Sequence, residues 1–460
     1  MSEVDDTELN PWEIIQGHIR EEKPVELHDY LNELSPKEVA RALTRLDENE
    51  RHQLLLLLDP EHAADLIEEL ADAQGADLIE ELSANEAAAI VEEMESHHRA
   101  DLLGEMDEAD AEAILRHMDP EEAQDARHLL GYEEDTAGGI MATEFVAYNQ
   151  ELTVEAVLQD MRENAERYSD YGVQYAYVLS EHDSLVGVVR LRDLLLSPAS
   201  SQLKSIMIVN PVYLLVDTPI EEVIQIFDRY SFWVAPVTDD EGKVLGVVRR
   251  ADAEEAMGEE QERTFMRFSG IIGGEELRDM PLRERTSRRL IWLMVNLPLS
   301  MLAASVILFN EETIEHIFAL VFFMPIIANL SGCSGNQAVA VSIRELTLGI
   351  IHPRDYMRVW VQEVSVGVLN GMAIGSLLAV AAVLLSVGQP IMGIAVGVAF
   401  ALNTLVAVSL GGCIPLFLRA IHVDPAMAAP PILTTITDMC GFLFLLTIAR
   451  VIIAQGWILI

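Results

Sequence analysis

Residues 283–460 contain five apolar stretches, each long enough to cross a lipid bilayer. They cover 290–309, 314–342, 359–386, 391–418 and 431–453. At a rise of about 1.5 Å per residue, about 20 apolar residues span the hydrocarbon core. Only helices and closed barrels satisfy their backbone groups inside lipid. The sequence therefore predicts a five-helix transmembrane domain in a lipid bilayer.

Basic residues mark alternate connections between these stretches. They precede the first stretch, separate the second from the third and separate the fourth from the fifth: Arg283, Arg285, Arg288, Arg289, Arg344, Arg354, Arg358 and Arg419. Positively charged connections stay on the cytoplasmic side. We therefore expect a multi-pass protein of the cytoplasmic (inner) membrane, with its N-terminus in the cytoplasm and its C-terminus outside. An odd number of spans disfavours an internal repeat, so we expect the pore to form in a homodimer.

The net charge of −45 lies entirely outside the apolar region. Residues 283–460 contain nine acidic and nine basic side chains, so the whole excess falls in residues 1–282. Such a field repels nucleic acid and concentrates cations. We expect no nucleic-acid partner, and a merely solubilising surface is the alternative interpretation. No nucleophile–base pair, phosphate-binding loop or zinc-ligand spacing appears, so the sequence does not predict an enzyme.

Residues 35–130 repeat with a period of 12. Each unit ends in Leu or Met, and most begin with Ser or Asp, followed in three units by Pro36, Pro60 or Pro120. Ser and Asp are favoured helix caps, and Pro is favoured at the first helical position. Each unit is too short to bury its own apolar face. The pattern therefore predicts short helices stacked into a superhelix, in preference to one long amphipathic helix.

Two later passages match each other and predict mixed α/β structure. The passages from Thr153 and from Pro219 both read as helix, strand, acidic turn, strand and helix, with Val-Gly-Val-Val in the second strand. This duplication resembles a tandem pair of cystathionine-β-synthase (CBS) modules, which implies a ligand-sensing regulatory region. Arg190 and Arg249 stand where nucleotide-binding modules carry a Thr or Ser. This departure weakens the case for nucleotide binding.

Asp438 is the one acidic residue of the fifth apolar stretch. An ionisable side chain at membrane depth costs about 2.5–3.5 kcal/mol, so it points to function. Thr434 and Thr435 precede it by four and three residues, and Gly441 follows by three. Helical spacing predicts that these residues share one face. Such a face indicates a hydrated path.

The second stretch is also polar at its centre. It contains Pro325 and the segment Ser331 to Gln337, with Gly332, Gly335 and Asn336. Small residues can serve helix packing alone. The two side-chain amides, Asn336 and Gln337, favour an interrupted helix that faces a pore.

The polar segments of the second and fifth stretches are predicted to lie at similar depths in the membrane. Asp438 lies about 10 Å inside the membrane from Pro431, and Asn336 a comparable distance from Arg344. A carboxylate with amide and hydroxyl oxygens suits a hard cation. Two carboxylates on a dimer axis are too few for a dry calcium cage but suit hydrated Mg²⁺. The donor set favours magnesium without excluding other small divalent ions.

The order of segments resembles the MgtE magnesium channels along nearly the whole chain. The motifs that carry the resemblance are Ser-Gly-Cys-Ser-Gly-Asn-Gln-Ala in the second stretch, Ile-Pro-Leu-Phe-Leu-Arg before Val-Asp-Pro, and Thr-Thr-Ile-Thr-Asp-Met-Cys-Gly in the fifth. The resemblance places the family's ion-selecting aspartate at Asp438 and includes Thr437 and Gln337 in the pore. Cys333 stands where many members carry Asn.

The resemblance also implies regulation by Mg²⁺ at acidic side chains between domains. The candidates for this regulatory metal site are Asp252, Glu254, Glu255, Glu259 and Glu260. We therefore expect a Mg²⁺-selective uptake channel that cytosolic Mg²⁺ closes. Transport of Mn²⁺ or Co²⁺, and a Mg²⁺-sensing receptor that transports nothing, are the alternatives.

The predicted fold is multidomain and mainly α-helical. Its segments are an N-terminal segment (1–34), a helical repeat domain (35–131), tandem CBS modules (132–252, divided at about 203), a connecting helix (253–282) and the five-helix transmembrane domain (283–460).

Overall fold

The computed structural model describes residues 10–165, 167–168, 171–272, 282–385 and 390–455. Most of the connection between the third and fourth apolar stretches lies outside these residues, as does the end of the predicted connecting helix. The chain divides into two compact units, Met1–Gly258 and Glu259–Ile460, which are described separately.

The first unit begins with ten short helices. Their bounds are α1 (Pro11–Arg20), α2 (Pro24–Glu33), α3 (Pro36–Leu43), α4 (Glu48–Leu57), α5 (Pro60–Glu68), α6 (Asp72–Glu80), α7 (Ala84–Val91), α8 (Ser96–Glu105), α9 (Glu108–Leu115) and α10 (Pro120–Leu129). Each of the eight repeat units from residue 35 to residue 130 forms one helix, α3 to α10. The repeat prediction is thus confirmed, and a single long helix is excluded.

The period of 12 is the spacing of the helix N-caps. They are Ser35, Asp47, Asp59, Ala71, Ser83, Glu95, Asp107 and Asp119. At Asp47 the carboxylate accepts a hydrogen bond of 2.8 Å from the backbone N–H of Glu50. Such a bond satisfies an amide that the helix leaves unpaired. Caps of this kind fix where a helix begins, at intervals of 12 residues.

Alternate helices of this region pack against each other. Helix α5 contacts α7, α6 contacts α8, α7 contacts α9, and α8 contacts α10. The apolar residues that end most units are buried, for example Leu46, Met94 and Met118, whereas the last, Leu130, is exposed. One continuous apolar core thus forms from helices that are too short to bury their own apolar faces.

The α/β region contains two small sheets. Its elements are β1 (Val146–Asn149), α11 (Val154–Glu163), β2 (Tyr175–Leu179), β3 (Leu185–Arg190), α12 (Leu191–Leu196), α13 (Leu203–Ile206), β4 (Ile208–Val209), β5 (Leu214–Leu215), α14 (Ile220–Tyr230), β6 (Val234–Thr238) and β7 (Val244–Arg249). The strand orders are β1-β2-β3-β4 and β5-β6-β7.

The two sheets repeat the same register, which confirms the duplication. In each, a parallel pair precedes an antiparallel pair. Val178 faces Gly187 in the first sheet, and Val237 faces Gly246 in the second, each directly beside an irregularity of register. A Cβ at Gly187 would lie 2.5 Å from the sulfur of Met207. Glycine at this position therefore allows close packing.

Helix α15 (Arg250–Phe268) leads from the first unit into the second. It begins earlier than the predicted connecting helix and ends at Phe268. Gly270 has a φ of +87°, and a Cβ there would lie 2.4 Å from Nε1 of Trp292. Both constraints favour glycine where the chain turns after the helix.

The second unit continues with six helices. They are α16 (Leu282–Leu308), α17 (Glu311–His316), α18 (Leu320–Thr347), α19 (Tyr356–Leu384), α20 (Pro390–Ala420) and α21 (Pro425–Ala454), with a 3₁₀ turn at Pro353–Asp355. Among the described residues, four helical segments qualify as membrane spans by length and composition: Arg285–Leu308, Pro353–Leu384, Pro390–Ala420 and Pro425–Ala454.

Helix α18, the predicted second span, is not among those four. Its 28 residues are long enough to cross a bilayer, but its central amides, serines and glycines reduce its mean hydropathy. The expected interruption of this helix is wrong, because α18 is continuous from Leu320 to Thr347. Pro325 lies close to its start, and its glycines serve close packing, as described below.

Candidate functional site

Helices α18, α20 and α21 pack around Gly335. A Cβ on Gly335 would lie 2.9 Å from Cδ2 of Leu433 and 3.1 Å from the backbone oxygen of Ala407. A Cβ on Gly411 would lie 2.3 Å from the backbone oxygen of Gly335. These approaches place the polar centre of α18 directly against the other two helices.

The contacts between α18 and α21 fix their relative levels. Gly332 faces Thr437, whose hydroxyl oxygen is 3.8 Å from the position of an added Cβ, and Gly335 faces Leu433. The helices are therefore antiparallel. By this register Asp438 lies level with Ser331, and Asn336 lies about five residues, or about 7 Å, further along. The two predicted ligands occupy neighbouring levels of one helix pair, although they do not lie opposite each other.

Asp438 is half-buried in the single chain, and Thr434, one turn before it, is exposed. On α18, Cys333 and Gln337 are exposed, and Asn336 is half-buried. The side-chain oxygen of Asn336 is nevertheless buried and has no hydrogen-bond partner among the described residues. The structure thus leaves both a carboxylate and an amide oxygen available for a ligand.

The predicted shared face of α21 is only partly correct. Thr435, Thr437 and Gly441 are buried, whereas Thr434 is exposed and Asp438 is half-buried. Gly441 lies in the helix packing, between Asn403 of α20 and Ile327 of α18.

All three threonines donate their hydroxyl protons to their own helix. The acceptors are the backbone oxygens of Pro430 for Thr434 (2.9 Å), Pro431 for Thr435 (2.7 Å) and Thr434 for Thr437 (3.0 Å). The lone pairs of each hydroxyl oxygen remain as acceptors. At Thr434, which is exposed, this oxygen is available to water or a cation.

Asn403 on α20 is a candidate that the sequence reasoning missed. Its side chain is fully buried, and neither its amide nitrogen nor its oxygen has a partner among the described residues. Its amide nitrogen lies 2.8 Å from where a Cβ of Gly441 would stand. Next to it in sequence, Thr404 contacts the hydroxyl of Ser331 at 3.3 Å. An asparagine inside an apolar segment at the depth of Gly441 was the signal available in the sequence.

Glu363 on α19 is a second half-buried acid within a spanning helix. A Cβ on Gly412 of α20 would lie 2.8 Å from its Cγ. The sequence reasoning considered only the acid of the fifth stretch and did not weigh this one.

Among the predicted regulatory carboxylates, Asp252 and Glu254 accept hydrogen bonds from arginines. Asp252 accepts a hydrogen bond of 2.7 Å from Nε of Arg249, and Glu254 accepts one of 2.8 Å from Nε of Arg250. Arg249 also binds both carboxylate oxygens of Glu95, one at 2.8 Å. A guanidinium thus bridges the repeat helices and the second CBS module.

Burial and the charge of Arg249 have opposite effects on the pKa values of the two carboxylates at this bridge. Burial raises the pKa of Asp252 despite its bond to Arg249. At Glu95 burial acts in the same direction, but the hydrogen bonds and charge of Arg249 outweigh it and lower the pKa. Glu95 is therefore the firmly ionised partner of the bridge.

The remaining regulatory candidates lie on α15. Glu255 and Glu259 are exposed, and Glu260 accepts a hydrogen bond of 3.2 Å from the hydroxyl of Thr264. Glu260 is also 3.6 Å from Arg267, which itself lies 3.7 Å from Asp424 at the start of α21. The roles of these carboxylates stay predictions.

The end of α15 lies against the helices that carry the site. Phe268 packs with a core that includes Val339 of α18 and Leu433 of α21. A cavity of about 360 Å³ separates Phe265 from Arg344, near the end of α18. The connecting helix and the polar helices therefore share one packed core.

Family models match four parts of the chain. Residues 324–448 match the MgtE divalent cation transporter domain, 34–135 the MgtE intracellular N domain, and 137–199 and 203–259 the CBS domain. A magnesium transporter MgtE of Thermus thermophilus is 33% identical over 330 residues, which cover 71% of this chain and 72% of that protein. The chain belongs to the MgtE family.

Two further proteins are similar to this chain. The magnesium transporter MgtE of Enterococcus faecalis is 30% identical over 71% of this chain and 71% of its own length. A solved structure of the cytosolic domain of the Mg²⁺ channel MgtE in complex with ATP is 31% identical. It covers 53% of this chain and 99% of its own, with a TM-score of 0.49.

Membership confirms the coarse predictions from the sequence. The chain has the repeat-helix domain, the CBS pair and the apolar helices of a multi-pass membrane transporter family, which is not an enzyme family. Asp438, Asn336 and Asn403 all fall within the divalent cation transporter domain.

Proposed function

We propose that this protein is a homodimeric, Mg²⁺-selective channel that takes up magnesium across the cytoplasmic membrane and is closed by cytosolic Mg²⁺. The observation that carries the proposal is Asp438, a half-buried carboxylate within the divalent cation transporter domain. Along α21 it lies between Thr434 and Gly441, and Gly441 packs against Asn403.

The donor atoms favour a hard, hydrated cation. Oxygen ligands from carboxylate, amide and hydroxyl groups suit Mg²⁺, which keeps several of its waters. A second subunit would bring a second Asp438 to the uncovered face. Two carboxylates and a ring of oxygen acceptors then hold the water shell without removing it.

Magnesium would enter down the membrane potential. A potential of 100 mV contributes about 2.3 kcal/mol per elementary charge, hence about 4.6 kcal/mol for Mg²⁺. This energy offsets part of the desolvation cost that a divalent ion meets at membrane depth. No coupled reaction is needed for uptake.

Gating follows from the charge distribution. When cytosolic Mg²⁺ is plentiful, ions bridge carboxylates of the acidic region and of α15, with Glu255 and Glu259 as exposed candidates. When it is scarce, repulsion among these carboxylates separates the domains. The packing of Phe268 and the Arg267–Asp424 contact connect α15 to the polar helices. The domain packing is thus the two-state element that Mg²⁺ biases.

The test is Mg²⁺ uptake into vesicles that contain the purified protein, with the cytosolic side free of Mg²⁺ or loaded with it. We expect uptake only when that side is free of Mg²⁺, and weak competition from Mn²⁺ and Co²⁺. Equal uptake under both conditions would contradict the gating. Stronger flux of Mn²⁺ or Co²⁺ would change the assigned ion, and the absence of any flux would favour the receptor.

A further inference from the structure

A histidine-rich cluster lies at the N-terminal turn of α8. One ligand atom from each of Glu95, His97 and His98 falls within 4.8 Å of the others. Nδ1 of His97 is 3.7 Å from Oε2 of Glu95, and its Nε2 is 4.0 Å from Oδ2 of Asp252. The two ring nitrogens of His97 therefore face two different carboxylates.

His97 is buried without hydrogen bonds. Its exposed fraction is 4%, and neither ring nitrogen has a partner within the part of the chain that the structure describes. Leaving a buried polar group unpaired is costly, so such a group calls for a ligand.

Carboxylates outnumber cations around this turn. Glu68 accepts a hydrogen bond of 2.7 Å from the backbone of Glu95, and Glu144 accepts bonds of 3.1 and 2.7 Å from Ser96. Carboxylates this close to the cluster favour a bound cation.

Arg249 is the guanidinium that contacts the cluster, through Glu95. Its hydrogen bonds do not occupy every lone pair of Glu95, because a carboxylate has about four lone-pair positions on its two oxygens. Glu95 is able to accept from Arg249 and to bind a metal ion with a remaining lone pair. The net charge of the surrounding carboxylates favours that second bond.

We propose that Glu95, His97 and His98 bind one divalent transition metal ion, of the zinc type, with Asp252 orienting His97 through its second ring nitrogen. Imidazole suits zinc, copper and nickel, whereas Mg²⁺ takes oxygen ligands. Bonds of about 2.0–2.1 Å in a tetrahedral site place ligand atoms about 3.4 Å apart. The 3.7 Å separation of His97 and Glu95 is close to that value. His98 is half-buried, so water has access to the fourth position.

The site differs from the proposed magnesium sites in its two histidine ligands, although Asp252 is also a candidate for regulatory Mg²⁺ binding. Three ligands come from the repeat helices, and the orienting carboxylate, Asp252, comes from the start of α15 next to the second CBS module. A carboxylate that orients a ligating histidine commonly contributes tenfold or more to metal affinity. Binding therefore strengthens the contact between these two regions.

The test is equilibrium dialysis of the full-length protein against Zn²⁺ in excess Mg²⁺. We expect one Zn²⁺ per chain that Mg²⁺ does not displace. His98→Ala, which changes a half-buried residue, and His97→Ala should each weaken binding at least tenfold. His117→Ala, at an exposed histidine just after α9, should bind as the wild type does.

X-ray absorption of the zinc-loaded protein gives a second readout. We expect nitrogen scattering typical of two imidazoles. Zinc that Mg²⁺ displaces, wild-type affinity in His98→Ala, or an all-oxygen ligand shell would each overturn the assignment. None of these results bears on transport, so failure here leaves the proposed channel function unaffected.

Discussion

The bridge made by Arg249 allows a quantitative prediction. The side chains of Arg249, Glu95 and Asp252 are 30%, 33% and 11% exposed. Breaking a fully buried ion pair costs about 3–5 kcal/mol, and an exposed pair contributes about 0–1 kcal/mol. For this intermediate exposure we expect Arg249→Met to weaken the contact by about 2 kcal/mol. That change corresponds to about thirtyfold in an opening equilibrium.

Amide hydrogen exchange of the full-length protein, in the absence of divalent ions, measures this effect. Amides of α8 should exchange about thirty times faster in Arg249→Met, because Glu95 and Asp252 are left without a countercharge. Mg²⁺ should restore part of the protection, since two adjacent carboxylates then bind it. Denaturant unfolding is less suitable because a multidomain chain does not unfold in two states.

Arg190→Met is the matched control. Arg190 occupies the same register position in the first module as Arg249 in the second, but it is exposed. We expect its replacement to leave exchange in α8 unchanged. Equal exchange of α8 in Arg249→Met and the wild type, or equal acceleration in both variants, would refute the assigned role of the bridge.

Three further predictions concern the membrane helices and α15. Gly335→Ala should lower the melting temperature, because its Cβ would meet Leu433 and a backbone oxygen. Gly258→Ala should instead stabilise α15 by about 0.5–1 kcal/mol, because nothing lies within 4 Å of an added Cβ there. Equal melting temperatures for Gly335→Ala and the wild type would contradict the packing around Gly335. Asn403→Leu should slow Mg²⁺ uptake without lowering the melting temperature, since the amide has no partner among the described residues; unchanged uptake would remove Asn403 from the path. Thr434→Val should slow uptake and Thr434→Ser should preserve it, because the hydroxyl oxygen is the proposed acceptor; equal rates would exclude that role.

The repeat helices were predictable because their signals are local. Caps such as Ser35 and Asp47 and the prolines after them recur every 12 residues, and each fixes the start of one helix. The duplicated Val-Gly-Val-Val likewise predicts equivalent strands, and the registers at Gly187 and Gly246 agree. Short-range chemistry sufficed in both regions.

The membrane helices were harder to predict because the same residues serve two purposes. The polar segment around Gly335 predicts a broken helix, yet Gly335 permits close contact between continuous helices. Whether a glycine breaks a helix or packs it depends on neighbours that are distant in sequence.

The sequence does not predict which residues pair with the acidic side chains. Arg249 lies 154 positions from Glu95, so its bridge could not be foreseen from local spacing. The same holds for His97, because its repeat unit gives no sign that the fold buries this histidine beside Asp252.

Uptake of Mg²⁺ by vesicles that contain Asp438→Asn, with no Mg²⁺ on the cytosolic side, tests the assignment of the pore most directly. Asparagine keeps the shape of the side chain and removes its charge. Asp355→Asn is the control, because the side chain of Asp355 accepts a hydrogen bond of 2.8 Å from the backbone N–H of His352 through an oxygen that asparagine retains. We expect Asp438→Asn to fall to the rate of empty vesicles and Asp355→Asn to transport Mg²⁺. Wild-type uptake by Asp438→Asn would contradict the role of Asp438 in ion passage.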